Sequence, residues 1–149
     1  LKGGFELIDA FIEPEAVTKL HAFGDVYVSY SRGEGFDMPA YDARLAGRPI
    51  IHTATGAPLD FHEPQVDMLV EATGTRPCHD IYDWGDARYL ELGLEPLKDA
   101  LFAMALTYER RREGIQAGWQ RGFMDHYSAQ RVGDSMRTSV EDVVRKARS

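Results

Sequence analysis

Glu34 and Asp42 are the side chains from which chemistry can be argued first. Both are carboxylates, and the stretch between them, Gly35-Phe36-Asp37-Met38-Pro39-Ala40-Tyr41, leads from a glycine-bearing loop into the first turns of a helix. At that spacing they can serve one ligand, accepting hydrogen bonds from its hydroxyls. On a wheel of about 100° per residue, Met38, Tyr41, Leu45 and Ala46 form an apolar stripe with Asp42 in its middle. A carboxylate buried there needs donors, because an ionised group without hydrogen bonds is costly to desolvate. Those donors are a ligand's hydroxyls or, on a purely structural reading, neighbouring backbone or a basic side chain.

The elements that must hold these groups follow from the flanking residues. Val26 to Ser29 is a short β-branched and aromatic run that predicts a strand. Ser31, Arg32, Gly33, Glu34 and Gly35 form the loop after it, where two glycines allow backbone angles that other residues resist. A helix begins near Met38, with Asp37 as N-cap, Pro39 in the first turn and Gly47 as the stop. Pro49 to Thr53 supplies the next strand, and the helical crossover makes the pairing parallel. The result is a βαβ unit whose loop lies at the carboxyl end of a parallel strand, where open α/β sheets bind ligands. Free N–H groups at the following helix N-terminus favour negative charge, so phosphate is the natural guest. Neither common phosphate loop fits: a dinucleotide fingerprint needs a third glycine where Met38 stands, and no Gly-Lys-Ser/Thr follows.

The run SRGEGFDMPAYDARLAGRPII does resemble the signature of retaining, nucleotide-sugar-dependent glycosyltransferases of the GT-B fold. That signature has a Glu, seven residues and a second Glu, with Gly-Phe-Gly after the first and an Ala-x-x-Gly-x-Pro-hydrophobic ending. Here Glu34 and Asp42 take the acidic positions, Gly35-Phe36-Asp37 the aromatic turn, and Ala46-Gly47-Arg48-Pro49-Ile50 the exit. The resemblance implies that Glu34 contacts hydroxyls of the donor sugar and is the catalytic residue to test. It implies that backbone N–H groups around Gly35, Phe36, Asp37 and Met38 meet the sugar and phosphate, and that Asp42 accepts from the ribose. Two positions depart from the pattern: Asp42 is one methylene shorter than the usual Glu, and Asp37 stands where a glycine often sits.

The same resemblance implies a fold and its partners. The chain is expected to be a single α/β domain over residues 1–149, a Rossmann-like three-layer α/β/α arrangement with a parallel sheet, corresponding to the latter part of the second GT-B domain. The first domain, which holds the acceptor site, and the upstream strands of the second are expected to be missing. So are the Arg and Lys that pair with the pyrophosphate in this family; Arg32, the one basic residue inside the loop, is the candidate to compensate in part. Missing neighbouring strands would leave an open sheet edge through which copies can pair. The partners are then a nucleotide sugar and an unknown acceptor, with no cofactor or metal.

Before the signature, Phe5 to Ile12 reads as a strand, and Glu13-Pro14-Glu15 opens a helix through about Phe23 with Val17 and Leu20 inward. After it, Thr53 to Pro64 reads as a loop rich in Thr, Gly and Pro, in which Thr55-Gly56-Ala57-Pro58 and Asp60 resemble the family's turn at the rim of the cleft. His52 reads as a satisfied histidine at a strand end. Val66 to Val70 is expected to be the last strand. Glu71 to Gly93 reads as a solvated acidic loop anchored by Tyr82, Trp84 and Tyr89, because His79, Asp80, Asp83, Asp86 and Glu91 match neither calcium nor zinc spacing. From Leu94 to the end the chain is helical: Leu97, Leu101, Met104 and Ala105 make one apolar face, Trp119, Phe123, Met124 and Tyr127 another, and Val132, Met136, Val140 and Val144 a third. Arg110, Arg111 and Arg112 read as a solvent-facing basic cluster near a helix end.

Composition sets the outer bounds. With 149 residues, 44% of them hydrophobic, the chain suits one globular domain. A net charge of -7 argues against a nucleic-acid surface, which rests on basic patches. A single cysteine, Cys78, allows no internal disulfide and is consistent with a reducing cytoplasm, the expected location, with peripheral membrane association compatible with it. Cys78 beside His79 suggests a nucleophile and base, but it reads as a chance pair rather than a catalytic one, since adjacent side chains rarely point together. Two other function classes stand beside the transferase: a non-catalytic sugar-nucleotide-binding or assembly module that kept the loop, and a flavodoxin-like or receiver module. The last lacks a strand-end aspartate, having Ser29 and Tyr30 there.

Overall fold

The computed structural model describes residues 4–78, 86–115 and 120–147. Three short strands, β1 (Tyr27–Ser29), β2 (Ile50–Thr53) and β3 (Met68–Val70), form a parallel sheet in the order β1-β2-β3. The register sets Tyr27 against Ile50 and Ser29 against His52, then Ile51 against Met68 and Thr53 against Val70. Helix α1 (Pro14–Phe23) precedes the sheet and α2 (Met38–Leu45) crosses from β1 to β2. A short α3 (Pro58–Phe61) follows β2, and an antiparallel hairpin of β4 (Gly74–Pro77) and β5 (Arg88–Glu91) follows β3. Helices α4 (Leu94–Gly114), α5 (Gln120–His126) and α6 (Ala129–Ala147) complete the chain. It is a mixed α/β protein with a small parallel sheet and a helical C-terminus.

The pleat of β2 divides the core. Neighbouring residues of a strand face opposite sides, so Ile50 joins Ala40, Ala43 and Phe61 on one face, while Ile51 joins Val70 and Met104 on the other. Both isoleucines are fully buried, each stabilising by about 1.5–3 kcal/mol relative to an exposed side chain. Helix α2 therefore covers one side of the sheet and α4 the other.

Several expectations hold. Helix α2 starts at Met38, and its N-cap Asp37 accepts from the Ala40 amide at 3.1 Å. It stops at Gly47, whose φ of 73° is the left-handed geometry that glycine adopts cheaply. The parallel β1–β2 pairing and α1 are also as expected.

Others are corrected. The fully buried residues of α2 are Ala40, Ala43 and Arg44; of the expected stripe, Tyr41 and Leu45 pack half-buried against the same core, but Met38 is 56% exposed and Asp42 is half-buried rather than enclosed in it. Small alanines let the helix lie close to the sheet, and that close approach turns the larger side chains to its flanks. The fully buried charge on this helix is Arg44, which pairs with Asp67 at 3.2 Å. Asp67 in turn accepts from the backbone N–H groups of Ile50 and Glu63, each at 3.0 Å. The carboxylate thus ties the start of β2 to the turn before β3.

No strand forms over Phe5 to Ile12. With no neighbouring strand to bond its backbone, the segment stays irregular, and Phe5 and Phe11 are 97% and 90% exposed. Val17 is half-buried but Leu20 is exposed, and α1 buries no residue fully. The Thr53–Pro64 segment contains α3 rather than loop alone. β3 is not the last strand, because the Glu71–Gly93 segment carries the β4–β5 hairpin. Polar cross-strand bonds brace it: Arg88 donates to Thr75, and Arg76 to the Tyr89 hydroxyl at 2.5 Å. Residues His79, Asp80, Tyr82, Asp83, Trp84 and Trp119, and the side chain of Phe123, lie outside the described residues. Arg111 is buried rather than solvent-facing, donating to the carbonyls of Pro64 and Asp67 at 3.2 and 2.8 Å. The Val132, Met136, Val140 and Val144 face of α6 is exposed. Among the described residues, no helix is long and apolar enough to cross a membrane.

Candidate functional site

The carboxyl ends of β1 and β2 open into two loops that meet. After β1 the chain runs through Arg32, Gly33, Glu34, Gly35 and Phe36 into Asp37; after β2 it runs through Ala54 and Thr55 into Gly56. The Ala57 N–H donates to Gly35 O at 3.1 Å. Gly56 has a φ of 66°, and a Cβ there would stand 2.2 Å from Glu34 O. That contact admits hydrogen alone, so the glycine sets how closely the second loop supports the Glu34 main chain. Neither Gly33 nor Gly35 has a neighbour within 4 Å of a built Cβ, and neither has a positive φ. The conformational demand in the first loop falls instead on Asp37, the non-glycine residue at positive φ (60°) among those described.

Asp37 is held from two sides. The Ser29 hydroxyl at the end of β1 donates to Oδ2, and the Ala40 amide donates to Oδ1. Its buried carboxylate therefore occupies the N-terminus of α2, and Pro39 has no N–H to offer. The helix N-terminus expected to greet a phosphate is already neutralised by the chain's own aspartate. Phe36 anchors the loop on an aromatic group, with ring centroids 5.4 Å from Tyr41 and 6.0 Å from Phe61.

Glu34 is exposed at the loop tip. Its field reaches Tyr27, whose hydroxyl is pushed up to about 12, first by burial and then by the Asp37 and Glu34 carboxylates. Asp42 lies on the second turn of α2, where its charge helps burial raise the neighbouring Tyr41. The two carboxylates thus stand in different surroundings: Glu34 on the loop at the end of β1, Asp42 beside the aromatic group that carries Phe36. Arg32 leans away toward the hairpin, its guanidinium carbon 5.4 Å from the centre of the Tyr89 ring. Met38 is exposed at the start of α2.

His52 is satisfied at the strand end, as expected. Nδ1 lies 3.2 Å from Thr53 O and Nε2 3.2 Å from His62 Nδ1. A carbonyl only accepts, so Nδ1 carries the proton and Nε2 accepts from His62. Burial first, and then His62, pull His52 down to about 4. The pair keeps a neutral polar wall beside Ser29, its register partner on β1.

The residues that sequence reasoning missed are His62, the Arg44–Asp67 pair and the hairpin arginines; the sequence places Gly56 in a turn but not in its contact beneath Glu34. Only Gly56 had a local signal, the Thr-Gly-Ala-Pro turn; the others acquire partners through tertiary contacts over ten or more positions. No protein-family model matches the chain, and no curated protein matches it in sequence.

Proposed function

We propose that this chain is the donor-binding part of a retaining glycosyltransferase with a Rossmann-like, GT-B type domain, taking a sugar from a nucleoside-diphosphate donor to an acceptor hydroxyl. One observation carries the reading: the signature-like run from Glu34 to Ile50 forms a strand-end loop, crossover helix and parallel strand, with left-handed backbone at residue 37, where the pattern often has glycine. Glu34, exposed on a loop braced from beneath by Gly56, is the group for the sugar hydroxyls. Arg32, Gly35, Phe36, Asp37 and Met38 make up the rest of the donor contact, Asp37 through its main chain because its carboxylate is engaged. Asp42 is the candidate for the ribose. Transfer would rest on positioning and on stabilising charge at the departing diphosphate.

The test is ligand-observed NMR of the chain with a panel of nucleoside-diphosphate hexoses, followed by Glu34→Ala. Saturable binding that the variant weakens, with the chain still folded by circular dichroism, supports the reading. Unchanged binding in Glu34→Ala defeats it. The net charge of -7 favours, as second reading, a non-catalytic binding or assembly module; it would bind the same donors while the enzyme that contains it keeps its turnover in Glu34→Ala.

A further inference from the structure

The diphosphate of such a donor needs positive charge, and the N-terminus of α2 is already occupied by Asp37. The charge lies elsewhere on the same rim. The hairpin folds back so that the Leu90 N–H donates to Arg32 O at 3.2 Å, which brings β5 against the loop before Glu34. Between them is a cleft of about 400 Å³ lined by Arg32, Gly33, Cys78, Arg88 and Tyr89.

The guanidiniums of Arg32 and Arg88 line it, and a third, that of Arg76, shares the Tyr89 ring. Arg32 and Arg76 both stack on the Tyr89 ring, at 5.4 and 4.9 Å from its centre. Arg88 is braced on Thr75 through Nε and Nη2, at 3.0 and 2.9 Å. Arg112, Arg131, Arg137 and Arg145 each face a carboxylate within 4 Å. Among the described residues, Arg32, Arg76 and Arg88 have no carboxylate within 4 Å, as is also true of Arg48, Arg110 and Arg111; what sets the three apart is that they gather at one hairpin. Two like charges on one ring repel, and stacking offsets this only in part. In an acidic chain, cations gathered with no carboxylate partner among the described residues, and pre-oriented by a ring and a threonine, are suited to an oxyanion, whose oxygens match the guanidinium fork.

We propose that this hairpin cleft binds a phosphoryl oxyanion at the edge of the Glu34 loop. The inference rests on the donor-site reading only for the anion's source: the diphosphate of a nucleotide sugar or the phosphate of a phosphorylated acceptor.

Cys78, the sole cysteine, lines the cleft and reports on it. The chain is titrated with inorganic pyrophosphate at low salt, by calorimetry and by the rate of Cys78 alkylation. Saturable binding that slows alkylation is expected, with affinity falling roughly tenfold in Arg76→Gln or Arg88→Gln, the scale of one charge-assisted contact. Arg137→Gln on α6 should bind as the parent does. No saturable binding by the parent overturns the proposal, as does equal affinity in all the variants. A nucleoside diphosphate or an alkyl phosphomonoester that displaces pyrophosphate supports the cleft and names its source, donor or acceptor. Pyrophosphate binding that responds to the arginines, with no added affinity for any nucleoside-diphosphate hexose, keeps the cleft and removes the donor reading. Hexose binding that responds to Glu34 but not to the arginines keeps the donor reading and removes the cleft.

Discussion

Gly56→Ala should cost far more than its single methyl suggests. An alanine at φ 66° is held in left-handed backbone, at a cost of about 1–2 kcal/mol. Its Cβ would start 2.2 Å from Glu34 O. That obstacle is main chain rather than the end of a flexible side chain, so one loop must move, and overpacking of this kind costs about 1–3 kcal/mol. The smaller entropy of an unfolded alanine returns about 0.4–1 kcal/mol, leaving a net loss of roughly 1–5 kcal/mol, centred near 3. Urea denaturation should show a midpoint drop of roughly 1–2 M, with an unchanged slope. Gly35→Ala is the internal control: a Cβ there meets nothing within 4 Å, so stability should stay within about 0.5 kcal/mol. The same displacement moves the Glu34 main chain, so on the proposed donor reading Gly56→Ala should also weaken nucleotide-sugar binding under conditions where it remains folded. Two variants equally stable would refute the claim that the second loop supports the first through this contact.

Other positions make separable predictions. Arg44→Met strands the buried Asp67 carboxylate and should cost about 3–5 kcal/mol, whereas Arg44→Met with Asp67→Asn, which is neutral and keeps an acceptor oxygen for the backbone N–H groups, should recover part of it; chemical denaturation of the two variants decides. Asp37→Ala loses a cap and puts alanine in left-handed backbone, a loss of about 2–3 kcal/mol, while Asp37→Gly should stay within about 1 kcal/mol of the parent; equal melting points would dispose of the backbone account. His52, pulled down to about 4 from 6.5, binds fewer protons folded than unfolded, so its contribution is present above 6.5 and lost as pH falls toward 4. Relative to His52→Gln, the parent should gain up to about 3 kcal/mol between those limits, and parallel stability curves would contradict this. Asp67 works the opposite way: burial raises it from 3.8 to about 6 against the pull of Arg44, so its contribution is present below 3.8 and fades as pH rises through 6.

What could be read from the chain was local. The cap at Asp37, the stop at Gly47 and the strands either side of α2 are set by residues within a few positions of one another, and they stand where sequence signals put them. The helical wheel failed on α2 because it weights bulk. The wheel selected Met38 and Leu45, but the helix approaches the sheet through Ala40 and Ala43, and the polar residue on the buried face proved to be Arg44. Its partner Asp67 lies beyond a strand and a short helix, so no window over α2 contains the reason it is tolerated. The hairpin was missed for a related cause. Its strands are rich in Thr, Arg and Gly, lack an apolar alternation, and are stabilised by cross-strand polar bonds visible only once the pairing is known.

The correction at α2 changes what the two carboxylates can be asked to do. Had Asp42 been buried in an apolar stripe, its need for donors would itself have argued for a ligand. Half-buried beside Tyr41, it has access to water and requires none. That need is instead met internally at Asp37, where the Ser29 hydroxyl and the Ala40 amide satisfy the carboxylate outright. The case for a ligand therefore moves to groups with no oppositely charged partner among the described residues: Glu34 at the loop tip, and Arg32 and Arg88 in the hairpin cleft that borders the same loop. An acidic group for hydroxyls beside basic groups for an oxyanion is the polarity of a phosphorylated sugar. On that reasoning, removing Asp42 should affect binding less than removing either Glu34 or Arg88, and a calorimetric series in which Asp42→Ala proved the most damaging would overturn it.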